Sequence, residues 1–178
     1  FYQVAMAMLA LGDTQSPRVA FEYLEKVQAG PNVKGYTGTP GWFLQKTHVD
    51  GEVEWVGVQL DQTAMPIMLG WRLWKEGVLS DADISTWYNK MLKPAANFLV
   101  DGGPVKLQWN DTTIKPPYTQ QERWEEQPGY SPSTTAAVIA GLVSAAAMTN
   151  DLVLDLSFGS RWVRSKMAIL PQVWIVRL

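Results

Sequence analysis

The chain has 178 residues, 47% of them hydrophobic, which is enough to bury the core of one domain and argues against a disordered sequence. Its formal net charge is −2 and its basic residues form no stripe, so we do not expect nucleic acid as a partner. The absence of cysteine excludes disulfides and thiolate metal sites, and the single histidine, His48, excludes a histidine-rich metal centre.

No apolar run approaches the twenty or so residues that cross a bilayer, so we expect no membrane segment. The chain starts at Phe1, without a methionine or a visible signal peptide, and already within a helical pattern. We therefore expect a fragment whose true start lies further upstream. The sequence indicates neither a compartment nor an oligomeric state.

Two helices joined by a short break are predicted first, which together form a helical hairpin. The first has apolar residues at helical spacing and should bury one face, formed by Phe1, Val4, Ala5, Met8 and Leu9. The second begins at Ser16-Pro17 and ends near Gly30-Pro31.

Residues 30–58 are rich in Gly and Pro, and β-forming residues flank Asp50-Gly51, which predicts a long loop carrying a short hairpin. Trp42 and Trp55 lie in this loop, and a long loop between helices is more often functional than idle. Composition alone leaves two roles open for these rings. They could attach the loop to the helices or offer a flat surface to a ligand.

Three further helices are predicted. Residues 59–75 are apolar on nearly all sides, which indicates a helix covered by several neighbours. Ser80 and Asp83 have the spacing of a capping box before a helix that reaches Leu99, with a kink at Pro94. A second long loop, 105–132, precedes a helix of small residues, 132–148, that should pack closely. The prediction is an all-α chain of helical hairpins, arranged as an α/α toroid or as a plain bundle.

The segment 119–133 carries the most chemical information. It places Glu122, Glu125 and Glu126 around an arginine and a tryptophan, between prolines. Acids crowded beside an aromatic ring can differ in pKa, so that one stays protonated near neutrality while another ionises, as acid-assisted cleavage of a glycosidic bond requires. The alternative is a solvated surface loop.

The run Arg123-Trp124-Glu125-Glu126, followed by Gly129-Tyr130-Ser131-Pro132-Ser133-Thr134, resembles the general-acid segment of glycoside hydrolase family 15, the prokaryotic glucoamylases and glucodextranases. The resemblance implies that Glu125 is the catalytic acid. It further implies that Trp124 shields this acid and that Glu126 assists it by orientation or charge.

The stretches Gly41-Trp42-Phe43, 55–61 and 66–73 resemble the second binding loop of the same family and the helix after it. By this resemblance Trp55, Gln59 and Asp61 lie near the scissile bond. Polar groups at the start of a helix also cap it, so a structural role is the alternative for these residues.

The resemblance implies an α/α barrel of six hairpins with active-site loops at one end, of which residues 1–149 form part. It implies inverting release of glucose from the non-reducing ends of α-glucans, without a metal or an organic cofactor. An α-1,4 bond is the commonest expectation, while the α-1,6 bond of a glucodextranase and the bond of trehalose stay open.

Two departures from the family pattern matter. The substrate-binding Arg-Asp pair would precede Phe1, and the catalytic base would follow Leu178, so we expect this chain alone to be inactive. From residue 150 the resemblance stops, and we expect 150–178 to be an atypical tail of the kind that a truncated or frame-shifted reading produces. One alternative function from a different class stays open: the chain could be a non-catalytic helical module that binds carbohydrate or serves as a scaffold.

Overall fold

The computed structural model describes residues 1–122 and 125–151, the last two by their backbone alone. Helices dominate this part of the chain: α1 Tyr2–Ala10, α2 Gln15–Tyr23, α3 Leu60–Lys75, α4 Asp81–Trp87, α5 Lys93–Asp101 and α6 Pro132–Asp151. Four short strands form two hairpins: β1 Lys46–Thr47 with β2 Val53–Trp55, and β3 Gly103–Leu107 with β4 Asn110–Ile114.

The helix α3 is the centre of the fold. It contacts α1, α2, α4, α5 and α6, and its contact with α6 is the most extensive between helices in the described part of the chain. Its apolar residues are fully buried on several sides, among them Leu60, Ile67, Leu69 and Leu73. The prediction of a helix covered by several neighbours is therefore confirmed.

Small side chains allow α6 to lie close against α3. A Cβ atom at Gly141 would stand only 2.9 Å from the Cβ of Ala64, so the two backbones approach at this point more closely than a larger residue would permit. The predicted close packing of this helix is confirmed. By length and composition alone, Pro132–Thr149 could also cross a membrane, with a mean hydropathy of 1.3 and 39% of its residues buried in this fold. This run corrects the expectation that no apolar stretch of the chain approaches the length needed to cross a bilayer.

The predicted buried face of α1 is wrong. Ala5 is buried and Leu9 partly so, but Phe1, Val4 and Met8 expose 58%, 57% and 38% of their surface. The helix lies at the edge of the fold, and its substantial contacts are with α2 and α3. The apolar residues of α1 therefore occupy more of its surface than these two neighbours cover.

The helix predicted from Ser80 to Leu99 is present, and its helical backbone is continuous over residues 81–101. Its capping box is present, since the Asp83 amide donates to Ser80 Oγ over 3.1 Å and the Ser80 amide donates to Asp83 Oδ2 over 3.0 Å. A single turn of π-helix, Tyr88–Leu92, then separates α4 from α5. Pro94 follows within the first turn of α5, directly after the π-helical turn.

The first hairpin was predicted from Asp50-Gly51 and is confirmed, whereas the second was missed. Residues 105–132 were assigned to a long loop, but β3 and β4 pair in register from Gly103 with Ile114 to Leu107 with Asn110. The loop after α2 extends this sheet, because the Thr39 amide donates to the carbonyl of Pro104 over 2.7 Å.

Candidate active site

The acid segment forms a loop that is closed at its base. Thr119 and Gly129 pair as an antiparallel bridge, each amide donating to the other carbonyl over 3.0 Å. Next to this bridge the rings of Tyr118 and Tyr130 pack edge to face, with their centroids 5.4 Å apart. We call residues 119–129 the acid loop.

The acid loop is attached to the start of α3. The Gln121 amide donates to the carbonyl of Val58 over 3.1 Å, and the side-chain amide of Gln59 donates to the carbonyl of Glu122 over 2.8 Å. Gln59 is only 7% exposed, so the bond is shielded from water. The predicted binding residue Gln59 therefore has a structural role, although its amide oxygen is not used in this bond.

Glu125 has an unusual backbone and a charged partner. Its φ angle is +67°, and Gln108 is the only other non-glycine residue with a positive φ in the described part of the chain. Its carboxylate Oε2 lies 2.8 Å from Nζ of Lys46 on β1. This hydrogen bond, helped by the charges of Glu125 and Glu54, raises the pKa of Lys46 above its ordinary value. Backbone strain of this kind is often found where a side chain is held for function.

A glutamine connects the acid loop to Trp55. The indole N–H of Trp55 donates to Gln121 Oε1 over 2.9 Å, and Gln121 Nε2 donates to the carbonyl of Glu125 over 2.8 Å. Gly57 makes this contact possible, because a Cβ atom there would stand 1.9 Å from Gln121 Oε1. The half-buried Trp55 thus fixes the backbone at Glu125 through one intermediate side chain.

A pocket of about 350 Å³ lies between the acid loop, the start of α3 and the start of α1. Glu125, Gln59 and Asp61 all line it, together with Phe1 and Tyr2. Asp61 is 6% exposed and its Oδ1 accepts a hydrogen bond from the Gln62 amide over 2.9 Å. Three of the predicted site residues therefore meet around one cavity.

The other predicted site residues are placed differently. Trp55 stands apart from the pocket walls and contacts the acid loop through Gln121. Glu126 has an exposed side chain and does not line the pocket, while Trp124 lies outside the described residues. Within residues 1–122 and 125–149, no three histidine, aspartate or glutamate side chains gather closely enough to hold a metal ion.

Sequence reasoning missed Lys46 and Gln121. Lys46 lies 79 positions before Glu125, and no local pattern connects the two. Gln121 did carry a signal, because it lies in the segment 119–133, two positions before the run that resembles the acid segment of the family. The glycine two positions after Trp55 was a second sign that something packs closely against that ring.

Comparison with known proteins shows which family the chain resembles. The model of glycosyl hydrolases family 15 matches residues 20–173. A glucoamylase of Clostridium sp. (strain G0005) is 38% identical over 145 residues, which cover 82% of this chain and 16% of the relative. A crystal structure of a bacterial glucoamylase complexed with acarbose superimposes with a TM-score of 0.63 at 36% identity, over 84% of this chain and 18% of that one.

These comparisons confirm the fold expected from the sequence, a partial α/α toroid with long loops. The chain spans about a sixth of the length of the curated relative. The proposed boundary at residue 150 stays a prediction, since the tail after it lies almost wholly outside the described residues. With most of its length matched by one family, the chain belongs to glycosyl hydrolases family 15.

Proposed function

We propose that the protein to which this chain belongs releases glucose from the non-reducing ends of α-glucans by inverting hydrolysis, with Glu125 as the general acid. The observation that carries the proposal is that the Glu125 carboxylate lines the same pocket as Asp61 and Gln59. Family membership supports it, as do a relative named glucoamylase and a similar structure that contains acarbose.

In this reaction Glu125 donates its proton to the glycosidic oxygen as the bond to the anomeric carbon breaks. A second carboxylate removes a proton from water on the opposite face of the sugar, roughly 6.5–9.5 Å from the first, and the product is β-glucose. The family resemblance implies that this base is a glutamate after Leu178. No metal and no organic cofactor take part.

The remaining predicted residues bind the sugar or hold the acid. The Asp61 carboxylate and the amide oxygen of Gln59 are acceptors on the pocket wall, suited to the hydroxyl groups of a glucose ring. Trp55 holds the acid loop in place through Gln121. For Trp124 and Glu126 we propose the roles that the resemblance implies, which are shielding and orientation of the acid.

The experiment compares glucose release from maltooligosaccharides by the complete gene product and by its Glu125→Gln variant. We expect the variant to lose about 10²–10⁴-fold in kcat, because an amide cannot supply the proton. Glu52→Gln is the matched control, since Glu52 is an exposed carboxylate in the turn of the first hairpin. The anomer first released by the unaltered enzyme, followed by NMR, should be β.

Activity that survives Glu125→Gln would place the acid elsewhere and leave the acid loop a structural element. Isomaltooligosaccharides and trehalose, assayed beside maltooligosaccharides, distinguish a glucodextranase or a trehalase from a glucoamylase. Sugar binding without hydrolysis of any of them would favour the non-catalytic binding module.

A further inference from the structure

Trp109 is an exposed tryptophan beside the candidate site. It leaves 55% of its surface exposed, although it lies in a well-formed hairpin between β3 and β4. Its ring contacts that of Trp55, with the centroids 4.9 Å apart and the planes inclined by 58°. A tryptophan ring that is held by a neighbouring ring and is still half exposed can bind a flat apolar ligand.

The turn that contains Trp109 has residues that are unusual for a two-residue hairpin turn. Two-residue hairpin turns favour Asn, Asp and Gly, because their first or both residues require a positive φ. Here the turn is Gln108-Trp109, and Gln108 has a φ of +51°. The two strained non-glycine residues of the described chain are therefore Glu125, the proposed acid, and the residue that precedes Trp109. Strain of this kind tends to gather at functional sites.

The position of Trp109 relative to the acid follows from the first hairpin. Lys46 and Trp55 are opposite each other on β1 and β2, so their side chains extend from the same side. Lys46 reaches the Glu125 carboxylate, and Trp55 reaches Trp109. Trp109 does not line the pocket, and it is connected to the backbone at Glu125 through Trp55 and Gln121.

We propose that Trp109, supported by Trp55, is an aromatic platform that binds a glucose ring of an α-glucan chain outside the pocket. This proposal rests on the proposed function. The platform binds the part of the glucan that extends out of the pocket, away from the glucose unit that is released. The C–H face of the glucose ring packs on the exposed part of the indole, and the hydroxyl groups at the ring edge stay in water. The platform therefore favours long substrates and is not used by a disaccharide.

The kinetic test measures kcat/KM of the complete gene product for the series from maltose to maltoheptaose. We expect Trp109→Ala to lower kcat/KM about tenfold more for maltoheptaose than for maltose, the value of one aromatic contact. Trp109→Tyr should keep most of the gain on lengthening the substrate. Trp74→Ala is the matched control, because Trp74 lies at the opposite end of α3 from the site and should leave the length dependence unchanged.

A binding test separates this proposal from the proposed function. Maltoheptaose is titrated into the Glu125→Gln variant with and without Trp109→Ala, and we expect about tenfold weaker binding without the indole. If the unaltered protein hydrolyses no glucan, the proposed function is wrong, and the titration alone then shows whether Trp109 binds the glucan. Equal affinities, or an unchanged length dependence in a Trp109→Ala protein that melts normally, would overturn the platform.

Discussion

Lys46 Nζ and Glu125 Oε2 lie 2.8 Å apart, although they are separated by 79 positions in the chain. Both side chains keep more than a third of their surface in water, at 44% and 37% exposed, so the pair is easily opened. An ammonium ion stabilises the ionised carboxylate, whereas a general acid has to be protonated. If Glu125 is the acid, this contact has to open before the carboxyl group can donate its proton.

The ion pair should have a measurable dependence on pH. Because the pKa of Lys46 is raised in the folded protein, its contribution to stability is complete below the ordinary value of 10.5 and is lost as pH rises through the folded pKa. We expect the complete gene product to be slightly more stable than its Lys46→Met variant at pH 7, and the difference to vanish in strong alkali. Urea midpoints from pH 7 to pH 11.5 measure it.

Lys34→Met controls for the loss of one exposed positive charge. A difference between the unaltered protein and Lys46→Met that persisted after Lys46 had lost its proton would mean that the lysine acts by packing its aliphatic stem.

Gly57→Ala should disable the site while leaving most of the fold. The new Cβ atom would stand 1.9 Å from Gln121 Oε1 and 2.7 Å from the Trp55 indole nitrogen, so the bond between them cannot persist. We expect kcat to fall about a hundredfold, the usual cost of moving a catalytic group by about an ångström. The control is Gly30→Ala, whose Cβ would meet its nearest neighbour at an ordinary 3.8 Å. Equal activities of the two variants would contradict the role of Gln121.

Ser80→Ala should weaken the start of α4. Ser80 Oγ accepts from the Asp83 amide over 3.1 Å, and without it that amide loses its partner at an exposed helix end. We expect the free energy of unfolding to fall by about 1 kcal/mol, measured by urea denaturation. Ser85→Ala, inside the same helix, should be neutral or stabilise by a few tenths of a kcal/mol, since alanine is the better helix former. If both variants behaved alike, the cap would contribute nothing.

The substitution Gly141→Ala has two opposing effects on stability that are similar in size. Alanine gains up to about 1 kcal/mol in helix propensity, but overpacking a tight contact costs about 1–3 kcal/mol. Besides the Cβ of Ala64, the new atom would meet the Ala64 carbonyl oxygen at 3.1 Å, and backbone cannot rotate aside. We therefore expect a net loss of stability, of about 1 kcal/mol.

The double variant Ala64→Gly/Gly141→Ala removes the nearer of these contacts. We expect it to be more stable than the sum of the two single variants predicts, by a coupling of at least about 0.5 kcal/mol. Additive effects would mean that the helices move apart without cost.

The features that could be predicted from the sequence are those that depend on neighbouring residues. The capping box of Ser80 and Asp83, the turn at Asp50-Gly51 and the small-residue face of α6 each depend on a few adjacent positions. The acid segment was found by its resemblance to a family, which carries information that periodicity does not. Glu125, which that resemblance identifies, lines the pocket.

The features that were missed depend on contacts between distant segments. The second hairpin has alternating residues, but its turn, Gln108-Trp109, lacks the glycine or asparagine that signals a turn. The apolar spacing of α1 predicted a buried face, yet burial depends on which neighbours are there to cover Val4 and Met8. Lys46 could not be identified for the same reason, since its partner is 79 positions away.

The packing of α6 on α3 also sets an order of events during synthesis. The central helix emerges from the ribosome before the helix that covers its Ala64 face, which comes only after α4, α5 and the second hairpin. Contacts of such long range form slowly and only once the whole intervening chain is available. A nascent chain halted before Pro132 should therefore be open to proteases along α3, and should become protected only when α6 has left the exit tunnel.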